Sequence, residues 1–384
     1  MPRDRLHPRL AGFGATIFGE MSALAVRTGS INLGQGFPDT DGPPEVIEAA
    51  VAALHDGYNQ YPPPLGIADL RCAISEHQQR FYGLSFDPDT EVLVTAGATE
   101  AIAATILALC GPGDEVVSLE PYYDSYPAAI AMAGARRVPV TLRAPDFAFD
   151  VDRFRAAITP RTKLVLLNTP HNPTGKVFTR DELAALAEVV IEHDLVVMTD
   201  EVYEHLVYDA VHVPLASLPG MRDRTITVSS AGKTFSFTGW KVGWVCASPA
   251  LTSAVRTTKQ FLTYVNAGPF QPAIAAALRL DDTYYEGFVA DLRAKRDRLA
   301  AGLRRAGFTV HQPQGTYFIT TDIRSLGETD GMAFCRALPE RVGVVAIPAV
   351  VLYDDLVEGA PLVRFAYCKR TEVLDEAIAR LGKL

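Results

Sequence analysis

Six short apolar runs recur between residues 91 and 247 of this 384-residue chain, and they constrain the fold more than any other feature. They are rich in Val and Leu and alternate little with polar residues, which is typical of parallel strands buried on both faces of a sheet. Predicted helices at 100–110 and 181–193 lie between them. The pattern predicts an α/β fold with a mostly parallel sheet that binds ligands at the carboxyl ends of its strands. The predicted strands cover residues 91–95, 115–119, 163–167, 196–199, 225–228 and 242–247.

The pattern changes near residue 285. A long charged amphipathic helix is predicted at 285–306, ending at Gly307. Strands and helices then follow without strict alternation, which predicts a smaller α+β domain. We expect a loop-like N-terminal arm (residues 1–45) that packs with the small domain, a large domain (46–284) and a small domain (285–384). The elements predicted after the long helix are strands at 317–321, 344–347 and 362–367 and helices at 331–338 and 372–381.

Composition excludes several classes of protein. Hydrophobic residues make up 48% and charged residues 21%, so the chain is expected to be globular. A net charge of −9 argues against a nucleic-acid-binding surface. The five cysteines show no Cys-x-x-Cys spacing, so we expect reduced thiols in a cytoplasmic protein and no metal site. The first residues lack a signal-peptide pattern, and no apolar run is long enough to span a membrane.

Lys233 lies in a turn of small residues directly after a predicted buried strand. A phosphate-binding P-loop would need a glycine at position 227, where this chain has Thr227. The pair Ser230 and Lys233 matches the serine acylase pattern of penicillin-recognising enzymes, but the Lys-Thr-Gly element is absent because Phe235 follows Thr234. The remaining interpretation is a lysine amine that forms a Schiff base with a carbonyl cofactor.

Other polar side chains are also predicted at strand ends. Asn172 follows one predicted strand, and Asp200 and Tyr203 follow the next. A carboxylate at the end of a buried strand needs a partner. The helix predicted at 100–110 follows a strand directly, so its N-terminus is suited to binding a phosphate. Each feature alone is compatible with an ordinary turn or helix cap, but together they indicate one site at the edge of the sheet.

Four motifs together resemble a known family: NTPHNPTG, TDEVYEHL, SSAGKTFSFTGWKVGW and LVRFAYCKR. They occur in the order found in pyridoxal-phosphate-dependent aminotransferases of fold type I, class I/II. The resemblance runs from about Leu24 to Leu384. It is strongest to the kynurenine, glutamine and methionine aminotransferase branch, and within it to actinobacterial N-succinyldiaminopimelate aminotransferases. It implies a large domain with a seven-stranded, mostly parallel sheet and a smaller α+β domain.

The resemblance implies pyridoxal 5'-phosphate as cofactor and gives the residues their roles. Lys233 would form the Schiff base and shuttle a proton, and Asp200 would keep the pyridine nitrogen protonated. Tyr203 and Asn172 would hydrogen-bond the phenolate oxygen. Tyr123 would stack on the ring, although the neighbouring Tyr122 is an alternative. The phosphate would be held by Ala98, Thr99, Ser230 and Lys241, and by Tyr61 from the other subunit of a homodimer with shared active sites.

Substrate residues follow from the same resemblance. Arg364 would bind the α-carboxylate, with Gly36 and Asn172 beside it, and Phe18 would lie near the substrate side chain. Many relatives have Arg where this chain has Lys241, and a lysine gives the charge without the bidentate fork.

The implied reaction moves an amino group from an L-amino acid to a 2-oxo acid by a ping-pong mechanism. The donor would be neutral or aromatic (methionine, glutamine or kynurenine), or N-succinyl-diaminopimelate, for which Arg256 and Lys259 could supply charge. The alternatives are a cysteine-S-conjugate β-lyase on the same fold and a cofactor-binding transcription regulator. The regulator would need a DNA-binding domain before the cofactor domain, and only about forty residues precede it here.

Overall fold

The computed structural model describes residues 7–384 as fourteen α-helices and thirteen strands, joined by short 3-10 turns. The strands are β1 (Ile31–Asn32), β2 (Val92–Ala96), β3 (Glu115–Glu120), β4 (Arg136–Thr141), β5 (Thr162–Asn168), β6 (Val196–Asp200), β7 (Thr225–Ser230), β8 (Val242–Cys246), β9 (Thr309–His311), β10 (Phe318–Asp322), β11 (Val344–Val345), β12 (Ile347–Pro348) and β13 (Leu362–Ala366). The helices are α1 (Ile17–Thr28), α2 (Pro44–His55), α3 (Ala68–Tyr82), α4 (Gly97–Leu109), α5 (Ser125–Ala133), α6 (Val151–Ala157), α7 (Arg180–Glu192), α8 (Ala231–Thr234), α9 (Pro249–Lys259), α10 (Phe270–Leu278), α11 (Asp282–Arg305), α12 (Gly331–Val342), α13 (Leu356–Gly359) and α14 (Thr371–Leu381).

The largest sheet has seven strands in the order β2-β8-β7-β6-β5-β3-β4. All neighbours pair in parallel except β8, which is antiparallel to both β2 and β7. Because most of its residues are buried, the strands read as continuous apolar runs. The predicted α/β fold with a mostly parallel seven-stranded sheet is confirmed.

Two smaller sheets are built from strands of the C-terminal part of the chain together with β1. One has four antiparallel strands in the order β12-β13-β10-β9, and the other pairs β1 in parallel with β11. The run predicted as one strand at 344–347 is therefore two short strands, one in each sheet. The division of the chain at residues 45 and 284 stays a prediction.

The prediction that residues 1–45 are loop-like is wrong over α1 and β1. Thr16 caps α1 by accepting a hydrogen bond from the N–H of Gly19, and Gly29 ends it with a φ of 62°. Met21 and Leu24 on its buried face join a core that contains residues of α11, α12 and β13. This helix is stabilised by contacts with residues far along the chain, which local sequence does not reveal. The part of the predicted arm at 1–6 lies outside the described residues.

Helix α4 begins three residues earlier than predicted, at Gly97 rather than Glu100. The residues 97–99 form the first turn of the helix, which follows β2 without a loop. Its free N–H groups therefore lie at the carboxyl end of the sheet. Across residues 7–384 the structure contains no helix with the length and apolarity needed to cross a membrane.

Candidate active site

A cavity of about 390 Å³ opens at the carboxyl ends of β5, β6 and β7. It brings together all but one of the side chains that the sequence predicts for the site. The predicted residues that line it are Phe18, Gly36, Ala98, Thr99, Tyr123, Asn172, Asp200, Tyr203, Ser230, Lys233, Lys241 and Arg364.

Lys233 lies on the one-turn helix α8, which follows β7 directly. Its Nζ lies 5.8 Å from the ring centre of Tyr203 and 5.6 Å from that of Tyr317. Burial lowers the pKa of Lys233 to about 8, with the nearby Asp200 opposing the shift and Lys241 adding to it. About a tenth of this amine is therefore neutral and nucleophilic at pH 7, far more than at the usual lysine pKa.

Asp200 ends β6 and is buried. Its carboxylate accepts a 2.6 Å hydrogen bond from the hydroxyl of Tyr126 and a 3.4 Å bond from the N–H of Val202. Among the described residues it forms no ion pair with a lysine or arginine. Burial raises the pKa of Asp200, although the Tyr126 hydrogen bond and the charge of Lys233 oppose the shift. A carboxylate held in this way is suited to a cationic ligand group in the cavity, since a buried charge needs a partner.

The N-terminus of α4 forms the opposite end of the cavity. The N-cap residue, Ala96, offers no side-chain cap, so the first N–H groups of this 13-residue helix are open to a ligand. Gly97 has a φ of 69°, and a Cβ on Gly243 would lie 2.5 Å from the Gly97 carbonyl carbon. Lys241, held at a φ of 54°, brings its Nζ to 3.4 Å from where a Cβ of Gly97 would be. Open N–H groups beside a lysine suit a phosphate.

Arg364 projects from β13, on the small antiparallel sheet, and is 2% exposed. Its guanidinium donates to the Asn172 side-chain oxygen at 3.2 Å and to the Gly34 carbonyl at 2.9 Å, and its Nε has no partner in the described chain. Burial lowers the pKa of Arg364 to about 10. A Cβ on Gly36 would lie 2.5 Å from the ring of Phe318, so only glycine fits beside this arginine. An arginine placed in this way is suited to a carboxylate ligand.

The two tyrosines that the sequence could not separate occupy different places. Tyr123 lines the cavity, and burial raises its pKa to about 12. Tyr122 is buried in the core, where the guanidinium of Arg137 lies 4.0 Å from its ring centre. The sequence prediction of Tyr123 as the cofactor-stacking residue therefore agrees with the geometry, and its role stays a prediction.

Tyr61 is the one predicted site residue outside the cavity. It is 81% exposed, and its ring packs edge-on against Tyr264 at 5.5 Å. The stretch from Tyr61 to Gly66 forms neither helix nor strand. The predicted role of Tyr61 concerns a partner subunit, so its position on the surface of one chain is compatible with that role without testing it.

Sequence reasoning missed several lining residues. Tyr126 positions Asp200, and Asn168 donates to the Asp200 carbonyl at 2.8 Å while accepting from the N–H of Asn172 at 2.7 Å. The spacing of Tyr126 three residues after Tyr123, at the start of a helix, is the one signal that could have found it. Asp124, Gln35 and Thr16 also line the cavity and were not predicted.

The two basic residues considered as distal charge partners do not line the cavity. Arg256 lies on the exposed face of α9. Lys259 is 1% exposed, and its Nζ donates to the Tyr264 carbonyl at 2.8 Å. Asn266, in the loop that follows, donates to the carbonyls of Thr95 and Lys241. It therefore connects the end of β2, just before α4, with the segment that carries Lys241.

A separate buried group contains His77, Glu204 and His205, whose ligand atoms lie within 4.8 Å of one another. The two histidines are hydrogen-bonded to each other at 2.7 Å, and Glu204 accepts a bond from Ser229 at 2.5 Å. Burial lowers the pKa of His77 to about 3 and raises that of Glu204 to about 7. The group is outside the cavity, and the expectation of a chain without a metal stays a prediction.

Comparison with known proteins agrees with this geometry. The sequence model of the family "Aminotransferase class I and II" matches residues 28–381. A Mycobacterium tuberculosis protein named a probable N-succinyldiaminopimelate aminotransferase is 54% identical, over 98% of this chain and 98% of its own. The methionine aminotransferase of Escherichia coli is 40% identical, over 98% of this chain and 97% of its own.

The similarity extends to the three-dimensional structure. The solved structure of the N-succinyldiaminopimelate aminotransferase from M. tuberculosis superposes with a TM-score of 0.96, covering 98% of this chain and 99% of that one. These relatives are named as aminotransferases, so the β-lyase alternative is not supported. With the family matched along almost the whole chain and the fold shared throughout, the chain belongs to the class I and II aminotransferases and is a fold type I enzyme of that family.

Proposed function

We propose that the cavity holds pyridoxal 5'-phosphate and that the enzyme moves the amino group of an L-amino acid to a 2-oxo acid in a ping-pong reaction. The observation that carries the proposal is the arrangement of three groups around one cavity. A lysine of lowered pKa, Lys233, shares it with the buried carboxylate of Asp200 and with the open N-terminus of α4. The family is known to use this cofactor, and these groups match its aldehyde, its pyridine nitrogen and its phosphate.

Each residue has a task that follows from its chemistry. When bound, the cofactor supplies an aldehyde carbon that attaches to amines and a ring that accepts electrons from the substrate Cα. Asp200 would keep a proton on the ring nitrogen of the cofactor. Because Asp200 is buried, water screens its charge less than that of an exposed carboxylate. Lys233 would hold the cofactor through its Nζ, and the same atom in its neutral form would move the proton of the substrate Cα.

Substrate orientation is the task of the small sheet. Arg364 would bind the α-carboxylate of both the donor and the acceptor. Its Nε has no hydrogen-bond partner in the described chain, whereas one Nη already donates to Asn172, so the substrate carboxylate would bind on the Nε side of the guanidinium. Tyr203 and Asn172, which line the same cavity, would hold the cofactor by donating hydrogen bonds to its phenolate oxygen. Because one site serves both halves of the reaction, the first product leaves before the second substrate binds.

The functional unit in this proposal is a homodimer with shared active sites. Tyr61 is 81% exposed on a stretch that contains three consecutive prolines, Pro62–Pro64. The ring of Tyr61 packs against that of Tyr264, which is itself 47% exposed, so the two tyrosines form an exposed aromatic pair. An exposed apolar patch that includes such a pair would suit a surface that binds another protein. Tyr61 would reach the phosphate end of the partner's cavity.

The donor side chain in this proposal is neutral or aromatic. In the described chain the only cations that line the cavity are Lys233, Lys241 and Arg364, and the cofactor and the α-carboxylate engage all three. The M. tuberculosis relative is named for a succinylated donor, whose two distal carboxylates would need further cations. Measured kcat/KM values for methionine, glutamine, kynurenine and N-succinyl-diaminopimelate decide between them. A preference of about a hundredfold or more for the succinylated donor would overturn the neutral-donor proposal.

Covalent attachment tests the cofactor proposal. Borohydride reduction of the purified yellow enzyme should fix the cofactor to the peptide that contains Lys233. Lys233→Ala should still bind the cofactor but lose transamination, whereas the exposed Lys163→Ala should behave like the wild type. Near-normal turnover by Lys233→Ala, or label on another lysine, would refute the assignment.

A further inference from the structure

Three polar residues that line the cavity have no task in the proposed function. They are Asp124, Gln35 and Thr16, and the cavity that they line also contains Phe18. Phe18 lies 5.0 Å from the guanidinium carbon of Arg364, and the Gln35 side chain donates to the Phe18 carbonyl, so both residues lie near the arginine that would bind the α-carboxylate. A donor held by Arg364 must therefore place its side chain among these residues.

Gln35 presents an acceptor to this space. Its side-chain nitrogen donates to the Phe18 carbonyl at 3.1 Å and to the Ser22 hydroxyl at 2.7 Å. A backbone carbonyl can only accept, so the nitrogen must face Phe18 and the orientation of the amide is fixed. The remaining polar atom, Oε1, has no hydrogen-bond partner among residues 7–384. What Gln35 offers a ligand is thus a carbonyl oxygen.

Asp124 adds a carboxylate. It is the N-cap residue of α5, yet its side chain makes no cap hydrogen bond, and in the described chain it forms no ion pair. It is half-buried at the cavity wall. Burial raises the pKa of Asp124, and the charge of Arg364 opposes the shift, so the two groups influence each other across the cavity. The residues just before α5 therefore bring Tyr123 and the carboxylate of Asp124 to the same cavity.

The balance of charge on this side is therefore negative. The Gln35 oxygen and the Asp124 carboxylate can only accept hydrogen bonds from a ligand. The third group is the Thr16 hydroxyl, which caps α1 and can donate its hydrogen without carrying a charge. A side chain that ends in a carboxylate would be desolvated next to Asp124 without a cation to compensate it. A side chain that ends in an amide or amine nitrogen would donate to both acceptors.

We propose that Asp124 and Gln35 form an acceptor end of the donor pocket that selects side chains carrying N–H groups and rejects those ending in a carboxylate. The proposal deepens the proposed function and rests on it. It extends to the second substrate, because both substrates use one pocket: neutral 2-oxo acids such as pyruvate should be better acceptors than 2-oxoglutarate.

Glutamine and glutamate are the matched probes, since they differ only in the amide nitrogen. With pyruvate as acceptor, the wild-type kcat/KM for glutamine should exceed that for glutamate by about tenfold or more, or about 1.4 kcal/mol. Asp124→Asn should reduce this ratio at least about fivefold, mainly by raising the value for glutamate. Methionine, which is neutral and has no N–H group, should change by less than about threefold. The exposed Asp181→Asn serves as the control.

The outcomes separate this proposal from the one it rests on. If the wild type turns over no amino acid in the presence of the cofactor, the proposed function fails. If the wild type is active but the glutamine-to-glutamate ratio is the same in Asp124→Asn, the acceptor-end proposal alone is overturned. An equal loss with all three donors would also overturn it, because that is the signature of structural damage. The proposal is supported if the glutamine-to-glutamate ratio of kcat/KM falls in Asp124→Asn because the kcat/KM for glutamate rises.

Discussion

At the scale of single residues, Asp200 is the side chain whose charge matters most. Asp200→Asn would keep the size of the side chain and the hydrogen bond from Tyr126 but remove the charge. Since stabilisation of developing charge in a buried site is worth on the order of 3 kcal/mol, kcat should fall by about a hundredfold or more. Single-turnover kinetics with a saturating donor measure this. A variant within about tenfold of the wild type would remove Asp200 from the mechanism.

The pKa of Lys233 predicts how the protein responds to pH. Because the amine titrates at about 8 rather than at the usual 10.5, the rate at which the cofactor attaches to the cofactor-free protein should rise up to about pH 8 and level off above it. Only the neutral amine attacks the aldehyde. Stopped-flow absorbance follows the attachment. A rate that continues to rise about tenfold per unit above pH 9 contradicts the prediction.

The same lysine links pH to stability. Its folded pKa lies below its unfolded pKa, so the folded cofactor-free protein holds fewer protons between about pH 8 and 10.5. The cost of burying the charged amine is fully present below pH 8 and is relieved as pH rises through this window.

Site residues that lie within a recognisable sequence motif could be predicted from sequence. Lys233, Asp200 and Arg364 each lie in such a motif, and all three line the cavity. Tyr126 and Asp124 were not predicted, because their relevance depends on how α5 is oriented against β6. That orientation is set by packing between segments far apart in sequence.

At the scale of elements, the start of α4 depends on glycine in the antiparallel strand β8. A Cβ on Gly243 would collide with the Gly97 carbonyl carbon at 2.5 Å and the Ala98 nitrogen at 2.8 Å. Both atoms are backbone, so the first turn of α4 would have to move. Gly243→Ala should therefore weaken cofactor binding by about tenfold or more and lower the melting temperature.

Gly239 provides the matched control for that prediction. It lies four residues earlier in the same segment, and a Cβ on it would meet nothing within 4 Å. Gly239→Ala should keep the wild-type affinity. Cofactor titration by fluorescence compares the two variants, and equal affinity in both would show that the α4 turn tolerates displacement.

The elements themselves were predicted unevenly. Six of the seven strands of the large sheet were predicted from sequence, because they are buried on both faces. Strand β4 was missed, since most of its residues are only half-buried and it contains two arginines and a proline. Helices α1 and α3 were missed: α1 follows a glycine-rich stretch, and α3 carries many polar residues, with a negative mean hydropathy. Their apolar faces are stabilised by partners that local sequence does not show.

At the scale of the whole molecule, a shared active site can be tested by complementation. Tyr61→Ala and Lys233→Ala each damage both sites of a homodimer. A mixed dimer of the two variants would have one site with an intact Lys233 from one chain and an intact Tyr61 from the other. Unfolding and refolding the two inactive variants together should therefore restore about a quarter of wild-type activity, since half of the dimers are mixed and each regains one of two sites.

The control is refolding each variant alone, which should restore nothing when all samples are assayed at limiting cofactor. Tyr61→Ala is expected to lose activity at limiting cofactor, because phosphate binding weakens. If the mixed sample shows only the sum of the separate activities, Tyr61 serves its own chain or no site at all. Light scattering on the same samples gives the oligomeric state.

The pairing of β1 with β11 has a consequence for biosynthesis. Ile31 pairs with Val344, and the guanidinium of Arg364 binds the carbonyl of Gly34. The start of the chain thus cannot reach its place until nearly all of it has left the ribosome. At about 5–20 residues per second, that delay is roughly 15–60 s. During this time Met21 and Leu24 lack the residues of α12 and β13 that complete their core cluster. The nascent arm is therefore a natural substrate for chaperones, and stalled translation near the C-terminus should expose it.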